Sequence, residues 1–336
     1  MMNLLSDEDV ANIARRRLSP NTAASNVWAL RRFSDWADKR NKLNTDSTHF
    51  SIPLDFTSIE PTRYNWVLSH FVAEVTEQSG KPYSAATIYQ LVTALNRTVK
   101  DLHPDLDLLS SPNFRQFRNV ADGVIKEKQS ADTTIRRKVD TIGFNEENEL
   151  WSKAFNLDDA HGLLAALIFV VLKRFGLRAS SELYTFGLDQ VQVTPAFKDD
   201  PTSTLFIVHF VQKYSKNYAP GLKGASCKKR TLEFTEDTRD PRSFLNILSL
   251  YLKKCPKDVE LGAVPFFQHA NNAWKGEELW YGKKSRVGVN YFPKLMKEAY
   301  QLAGLKGDYT LRSIRAGVVQ ELVENGIPDA GYFENY

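Results

Sequence analysis

The 336-residue sequence contains only two cysteines, Cys227 and Cys255, and they lack the Cys-x-x-Cys spacing of zinc sites and redox motifs. This argues against a structural metal or a disulfide framework and favours a reducing compartment. The longest apolar run, residues 163–172, is too short to span a bilayer. The N-terminus carries acidic residues where a signal peptide has a basic flank. The sequence therefore predicts neither a membrane segment nor secretion.

The sequence also lacks a large excess of charge of either sign. Lys plus Arg total 44 against 40 for Asp plus Glu, a formal net charge of +4, so global charge alone does not indicate nucleic acid binding. The basic residues are nevertheless clustered, at 15–17, 136–138, 223–230 and 283–286. These clusters are candidate phosphate contacts, and the other interpretation of each is a solvated surface.

Several well-known catalytic patterns are missing. The sequence has no Gly-x-Ser-x-Gly, no phosphate-binding Gly-x-x-x-x-Gly-Lys-[Ser/Thr], no Gly-x-Gly-x-x-Gly and no His-Glu-x-x-His, and its six histidines are scattered. These absences argue against the corresponding hydrolases, nucleotide-binding proteins and zinc proteases. The remaining candidate is phosphate chemistry carried out by cationic side chains.

The first part of the sequence predicts an all-helical domain over residues 1–135. Ser19-Pro20 and Ser84 are typical of helix starts, and apolar residues follow each at helical spacing. The strongest helical stripe begins at Pro61, and a fourth helix is indicated around Phe114 and Phe117. Residues 40–60 are polar and interrupted by proline, which predicts a loop.

A polar, basic run at 126–141 is the best candidate linker, and a second domain is predicted over 142–336. Residues 163–175 are apolar on nearly all sides, which predicts a helix at the centre of the second core. Residues rich in Val, Ile and Phe then predict a small antiparallel sheet. The predicted strands are 190–194, 205–211 and 231–234, and further helices are predicted at 146–155, 244–252 and 291–302. The predicted fold class is mainly α with a small antiparallel sheet, a helical domain followed by an α+β domain.

The stretch from Thr310 predicts a helix that runs to Glu324 and ends at Asn325-Gly326. Arg312 and Arg315 are three residues apart, so they share a helix face near its N-terminus. Two guanidiniums there can donate several hydrogen bonds to phosphate oxygens, assisted by the helix dipole. A pair of solvated surface arginines is the alternative. The apolar stripe that would anchor this helix is Ile314, Val318 and Leu322.

Other cations could join this pair. Arg178 follows the apolar helix, while Lys213 and Lys216 lie between two predicted strands. Cations that converge from separate segments can stabilise the charge of a phosphoryl transition state.

The sequence resembles the tyrosine recombinases, and most closely their eukaryotic Crypton-type branch. Residues 176–183 (Gly-Leu-Arg-Ala-Ser-Ser-Glu-Leu) resemble the first arginine box of that family, and residues 309–316 (Tyr-Thr-Leu-Arg-Ser-Ile-Arg-Ala) resemble its His-x-x-Arg box. Residues 221–223 (Gly-Leu-Lys) and 280–283 (Trp-Tyr-Gly-Lys) echo further Crypton-like segments. Stretches 22–36 and 83–95 look like the DNA-gripping core-binding domain.

The resemblance implies DNA breakage and rejoining through a phosphotyrosyl intermediate, in site-specific recombination or DNA integration, without a metal or nucleotide cofactor. It implies that Arg178 and Arg315 clamp the scissile phosphate and that Lys216, or alternatively Lys213, protonates the leaving 5′ hydroxyl. Glu182 matches a carboxylate that supports the arginine site, and its other interpretation is an acid on an exposed helix face. The implied partners are double-stranded DNA and further copies of the chain, and the implied location is the nucleus. Lys213, Lys223 and Arg230 are the predicted additional DNA contacts.

The sequence departs from the family pattern at two places. Arg312 stands where the family usually has histidine, so a proton-handling group is replaced by a permanent cation. The nucleophilic tyrosine of the family lies on a later helix, whereas only Tyr332 and Tyr336 follow Arg315 here. The expectation from sequence is a truncated chain that forms no covalent DNA adduct by itself, with Tyr336 as the nucleophile candidate.

Three functions are therefore open at the level of sequence. The first is strand exchange, with the tyrosine supplied by the full-length chain or by a neighbouring protomer. The second is a domesticated or decayed recombinase that binds DNA without cutting it. The third is a helical protein-interaction scaffold with no role on DNA.

Overall fold

The computed structural model describes residues 4–15, 18–43, 50–131, 140–212, 230–262, 264–271 and 279–326. The chain divides into two compact units, Met1–Arg137 and Lys138–Tyr336. In the described ranges the first unit is helical and the second combines helices with small antiparallel sheets. The predicted fold class, mainly α with a helical part followed by an α+β part, is confirmed.

The described part of the first unit contains five α-helices: α1 (Asp7–Arg15), α2 (Pro20–Leu43), α3 (Tyr64–Glu74), α4 (Ala85–Leu102) and α5 (Arg115–Ala131). The capped start of α4 is as predicted, since the Ser84 hydroxyl accepts a hydrogen bond from the Thr87 backbone N–H at 3.2 Å. Helices α2 to α5 enclose a core in which Phe33, Phe56 and Phe71 are almost fully buried. Sequence reasoning did not find α1, and it ended α2 too early.

The boundary between the two units, at Arg137 and Lys138, lies within the predicted linker at 126–141, but both ends of that run are part of the folded units. Helix α5 continues to Ala131, and residues 132–139 lie outside the described ranges. Asp140 and Thr141 are already tied to the rest of the second unit. The Asp140 carboxylate accepts a hydrogen bond from the Asp308 N–H at 2.7 Å, and Thr141 Oγ1 donates to Gln320 Oε1 at 3.0 Å. A polar composition does not distinguish a linker from an exposed helix or from a hydrogen-bonded segment on the surface of a domain.

The second unit is built around one almost entirely buried helix. Its described elements, in order, are α6 (Phe144–Lys153), α7 (Ala160–Phe175), α8 (Ala179–Thr185), β1 (Val191–Pro195), β2 (Leu205–Val211), β3 (Thr231–Asp237), α9 (Phe244–Lys254), α10 (Lys257–Glu260), β4 (Gln268–Ala270), β5 (Tyr281–Arg286), α11 (Tyr291–Leu302) and α12 (Leu311–Glu324). Helix α7 is the predicted central helix, and α9, α11 and α12 all pack against it. In the described ranges, no helix combines the length and apolarity needed to cross a membrane.

The first sheet has the strand order β1-β2-β3 and is antiparallel throughout, as predicted. Val208 at its centre is paired with Val193 on one side and Phe234 on the other. The sheet is joined to the end of α7 by Phe175, whose ring centroid lies 4.8 Å from that of Phe210 and 5.3 Å from that of Phe234. This aromatic cluster fixes the C-terminal end of α7 beside the sheet.

A second, two-stranded sheet of β4 and β5 was not predicted. Its strands are short, and the pairing is irregular between Gln268 and Ala270. Strands of three to six residues with a register shift give too little alternation of apolar and polar residues to be recognised in a sequence.

Buried Glu236 joins the first sheet to α9. One carboxylate oxygen accepts a hydrogen bond from the Phe244 backbone N–H at 2.7 Å, and the other lies 2.9 Å from Arg174 Nε. Burial raises the pKa of the Glu236 carboxyl above its ordinary value of 4.5, and the nearby Arg174 charge opposes this shift only in part.

We expect this raised pKa to make the second unit lose stability as the pH rises. A carboxyl with a raised folded-state pKa contributes stability below its unfolded pKa, and that contribution is lost as the pH rises through the folded pKa. Relative to a Glu236→Gln variant, the wild-type free energy of unfolding should therefore fall above pH 4.5. Urea denaturation of both proteins from about pH 4 to 7 measures this difference. A difference that is constant or grows in favour of the wild type would contradict the assignment.

Candidate functional site

Arg178 follows directly from the end of the central helix. Helix α7 ends at Phe175, and its C-cap residue Gly176 has a φ of 56°, the left-handed conformation that glycine adopts without strain. Leu177 is buried, and the partly buried Arg178 then serves as the N-cap residue of α8. A tight turn between two anchored elements therefore fixes the backbone at Arg178.

The carboxylate of Glu182 supports this turn. Its Oε2 atom accepts a hydrogen bond from the Arg178 backbone N–H at 2.6 Å, and Glu182 is only 5% exposed. Within the described residues, its buried Oε1 atom has no hydrogen-bond partner. The interpretation of Glu182 as an acid on an exposed helix face is therefore wrong, and its carboxylate holds the arginine segment in place.

Arg230 reaches the same turn from the sheet. Its Nη1 atom donates to the Gly176 carbonyl at 3.4 Å, two residues before Arg178. The Arg230 carbonyl accepts a hydrogen bond from the Gln212 N–H at 2.9 Å. The residue after β2 and the residue before β3 are therefore neighbours. The segment between these points, residues 213–229, contains the predicted contacts Lys213, Lys216 and Lys223 and lies outside the described ranges. Arg230, the first described residue after that segment, lies beside the Arg178 turn.

Helix α12 begins and ends where the sequence predicts. Thr310 is its N-cap, its hydroxyl accepting from the Arg312 N–H at 3.2 Å, and the buried Ser313 hydroxyl accepts from the Thr310 N–H at 2.9 Å. This reciprocal pair satisfies backbone donors at the start of the helix. In the first turns Arg312 is exposed, while Arg315 is partly buried. The side chains of Arg312 and Arg315 therefore differ in their exposure to solvent.

The buried face of α12 differs from the predicted stripe. Ile314 is buried as expected, but Val318 and Leu322 are only partly buried. The close contact is instead made by Gly317, where an added Cβ would lie 1.9 Å from the Ile142 carbonyl oxygen. The Ile142 N–H in turn donates to the Ser313 carbonyl at 3.1 Å. Residues 140–143, the segment before α6 that we call the strap, therefore lie directly on α12.

The packing of α12 brings two of the predicted site segments together. Helix α12 contacts both α7 and α8, and α8 is the helix that Arg178 caps. The helix that carries Arg312 and Arg315 is therefore packed against the helix headed by Arg178. Tyr332 and Tyr336 lie outside the described ranges, so the role of Tyr336 stays a prediction, as does that of Lys216.

Sequence reasoning missed a contact between the second sheet and α8. The Arg286 guanidinium lies 3.3 Å from the centroid of the Tyr184 ring and donates a hydrogen bond to the Tyr184 carbonyl. Arg286 was recognised only as part of the basic cluster at 283–286. No sequence spacing indicates that residues this far apart are in contact. Among the described residues, no cluster of three or more His, Cys, Asp or Glu could hold a metal ion.

Comparison with known proteins gives a family match to part of the chain and similarity to solved structures. A family model described as the QRICH1 domain matches residues 21–127, which lie within the first unit. The chain is also similar to a solved structure, the crystal structure of XerA recombinase, with 13% identity and a TM-score of 0.33 over 94% of this chain and 82% of that one. A similarity of that size supports no inference about activity. No curated protein matches the sequence.

Proposed function

We propose that the protein binds double-stranded DNA and that its second unit carries a tyrosine recombinase-type site. The observation that carries this proposal is the packing of α12 on α8, because it puts the Arg312 and Arg315 helix against the helix that Arg178 caps. Guanidinium groups are suited to phosphate, since they stay charged and can donate two parallel hydrogen bonds. In this proposal Arg178, Arg312 and Arg315 surround one backbone phosphate.

The proposed reaction is breakage and rejoining of DNA. A tyrosine, for which Tyr336 is the candidate in this sequence, attacks the phosphorus and forms a 3′-phosphotyrosyl bond. The bond to the 5′ oxygen breaks, and Lys216, or alternatively Lys213, gives that oxygen a proton. A 5′ hydroxyl of a partner duplex then displaces the tyrosine. The first unit, proposed as a core-binding domain over residues 1–135, grips the duplex while the 142–336 domain does the chemistry.

The resemblance to Crypton-type recombinases extends the proposal to a mobile-element origin, to copies of the chain assembled on DNA, and to a nuclear location. The alternative function is a DNA-binding module without cleavage. It is favoured by Arg312, because a permanent cation at the usual histidine position can bind phosphate but cannot exchange a proton at neutral pH.

Duplex binding should fall steeply with salt. Each phosphate contact contributes about −0.9 to the slope of log K against log[salt], and contacts from several cationic segments should give a slope of about −3 or steeper. Fluorescence anisotropy with a labelled duplex over a range of salt concentrations measures this slope. Absence of duplex binding at low salt would remove both the recombinase and the DNA-binding module, and it would leave the protein-interaction scaffold.

A nicked duplex that traps the cleaved state separates the two DNA functions. When a nucleophile tyrosine is supplied, the recombinase predicts a covalent protein–DNA adduct that survives denaturation, maps to that tyrosine and is lost in Arg315→Ala. The binding module predicts retention of the duplex without an adduct. The Arg315→Ala control matters because the phosphate-binding arginine contributes to cleavage as well as to binding.

A further inference from the structure

Helix α8 is too short to hold itself in place. It has seven residues, whereas isolated helices below about 12 residues are marginal in water. Its N-terminal end is fixed by the hydrogen bond from the Arg178 N–H to the Glu182 carboxylate. At its C-terminal end, the Thr185 carbonyl accepts from Gln190 Nε2 at 2.9 Å, and the Tyr184 carbonyl accepts from Arg286. Side chains from two other segments therefore cap the last turn.

Arg286 makes a second contact with the same helix. Its guanidinium carbon lies 3.3 Å from the centroid of the Tyr184 ring, a distance at which the flat cation covers the ring face. A cation near a helix C-terminus is also favoured by the helix dipole. Both contacts direct the guanidinium to Tyr184 although the side chain is exposed.

The backbone of Arg286 is itself anchored. Arg286 is paired with Gln268 across the second sheet, and the next residue, the buried Val287, donates its N–H to the Phe267 carbonyl at 3.0 Å. The contact with Tyr184 therefore connects a strand fixed to the core with the short helix that begins after Arg178.

We infer that Arg286 is a positioning residue. Its contacts with the ring and the carbonyl of Tyr184 hold α8 in place, and with it the Arg178 segment. The inference rests on the proposed function in one respect, namely that the Arg178 segment binds phosphate. Arg286 then influences DNA binding through α8 and not by contacting phosphate itself. A plain phosphate contact, which the basic cluster at 283–286 suggests in the sequence, is the competing explanation.

The first test is hydrogen exchange of the α8 amides in the full chain without DNA. Arg286→Ala removes both contacts and should speed exchange of residues 182–186 by about tenfold. Tyr184→Ala removes the ring contact and should also speed exchange, and the double variant should be no faster than Arg286→Ala. Tyr184→Phe keeps the ring and the carbonyl and should exchange like the wild type. Arg286→Lys keeps the charge but lacks the planar face, so it should restore protection only in part. Unchanged exchange in Arg286→Ala, or full restoration by Arg286→Lys, would overturn the inference.

The second test compares duplex affinity. Tyr184→Ala removes no charge, so a loss of affinity in this variant as well as in Arg286→Ala supports positioning through α8. A loss in Arg286→Ala alone would identify a direct phosphate contact and overturn the inference. Lys294→Ala, at an exposed position of α11, is the control for removal of one positive charge. Because exchange is measured without DNA, a wild type that binds no duplex would refute the proposed function and leave the restraint of α8 separately measurable.

Discussion

Replacing Gly317 with alanine should destabilise the second unit by about 3 kcal/mol or more. An added Cβ would lie 1.9 Å from the Ile142 carbonyl oxygen, so the strap and α12 would have to separate. Alanine is favoured over glycine within a helix by only about 1 kcal/mol, which is too little to offset that clash. Urea denaturation followed by circular dichroism measures the loss.

Gly288→Ala is the matched control in the same unit. A Cβ at Gly288 would meet nothing within 4 Å, and its φ is not positive, so the change should alter stability by less than about 1 kcal/mol. Because α12 carries Arg312 and Arg315, Gly317→Ala should also weaken duplex binding while Gly288→Ala should not. Equal stability of the two variants would show that the strap does not hold α12 in solution.

Arg315→Ala should weaken duplex binding by about 1 to 3 kcal/mol, because it removes one charge-assisted contact among many. We expect a similar loss for Arg178→Ala. Anisotropy titration at one fixed salt concentration measures both losses. Lys294→Ala should lose distinctly less affinity, because Lys294 is an exposed residue of α11 outside the two arginine segments. Equal losses in all three variants would show that only total charge matters and that the arginine segments form no site.

The features best predicted from sequence were those set by local chemistry. Thr310 as a cap and Asn325-Gly326 as a stop gave the limits of α12, and Ser84 gave the start of α4, since caps are local hydrogen bonds. The strand 205–211 was predicted at its observed bounds because all of its residues except His209 are apolar.

The features that sequence reasoning missed depend on contacts between distant segments. The strap at Ile142 replaced the predicted apolar stripe of α12, and nothing near Gly317 in the sequence indicates that approach. The contact of Arg286 with Tyr184 likewise joins residues about a hundred positions apart. Arg178 and Arg315 were identified from short motifs, but their helices are brought together by the packing of α12 on α8, which no spacing encodes.

The most direct test of the proposed site is a double-mutant cycle between Arg178 and Arg315 in duplex affinity. If both side chains bind one phosphate, removing either disrupts the contact of the other, so the losses should fail to add by about 0.5 kcal/mol or more. Arg178 paired with the exposed Lys294 is the control cycle and should be additive within about 0.3 kcal/mol. Non-additivity confined to the arginine pair is the result that the proposal predicts. Additive losses for Arg178 and Arg315 would contradict a shared phosphate.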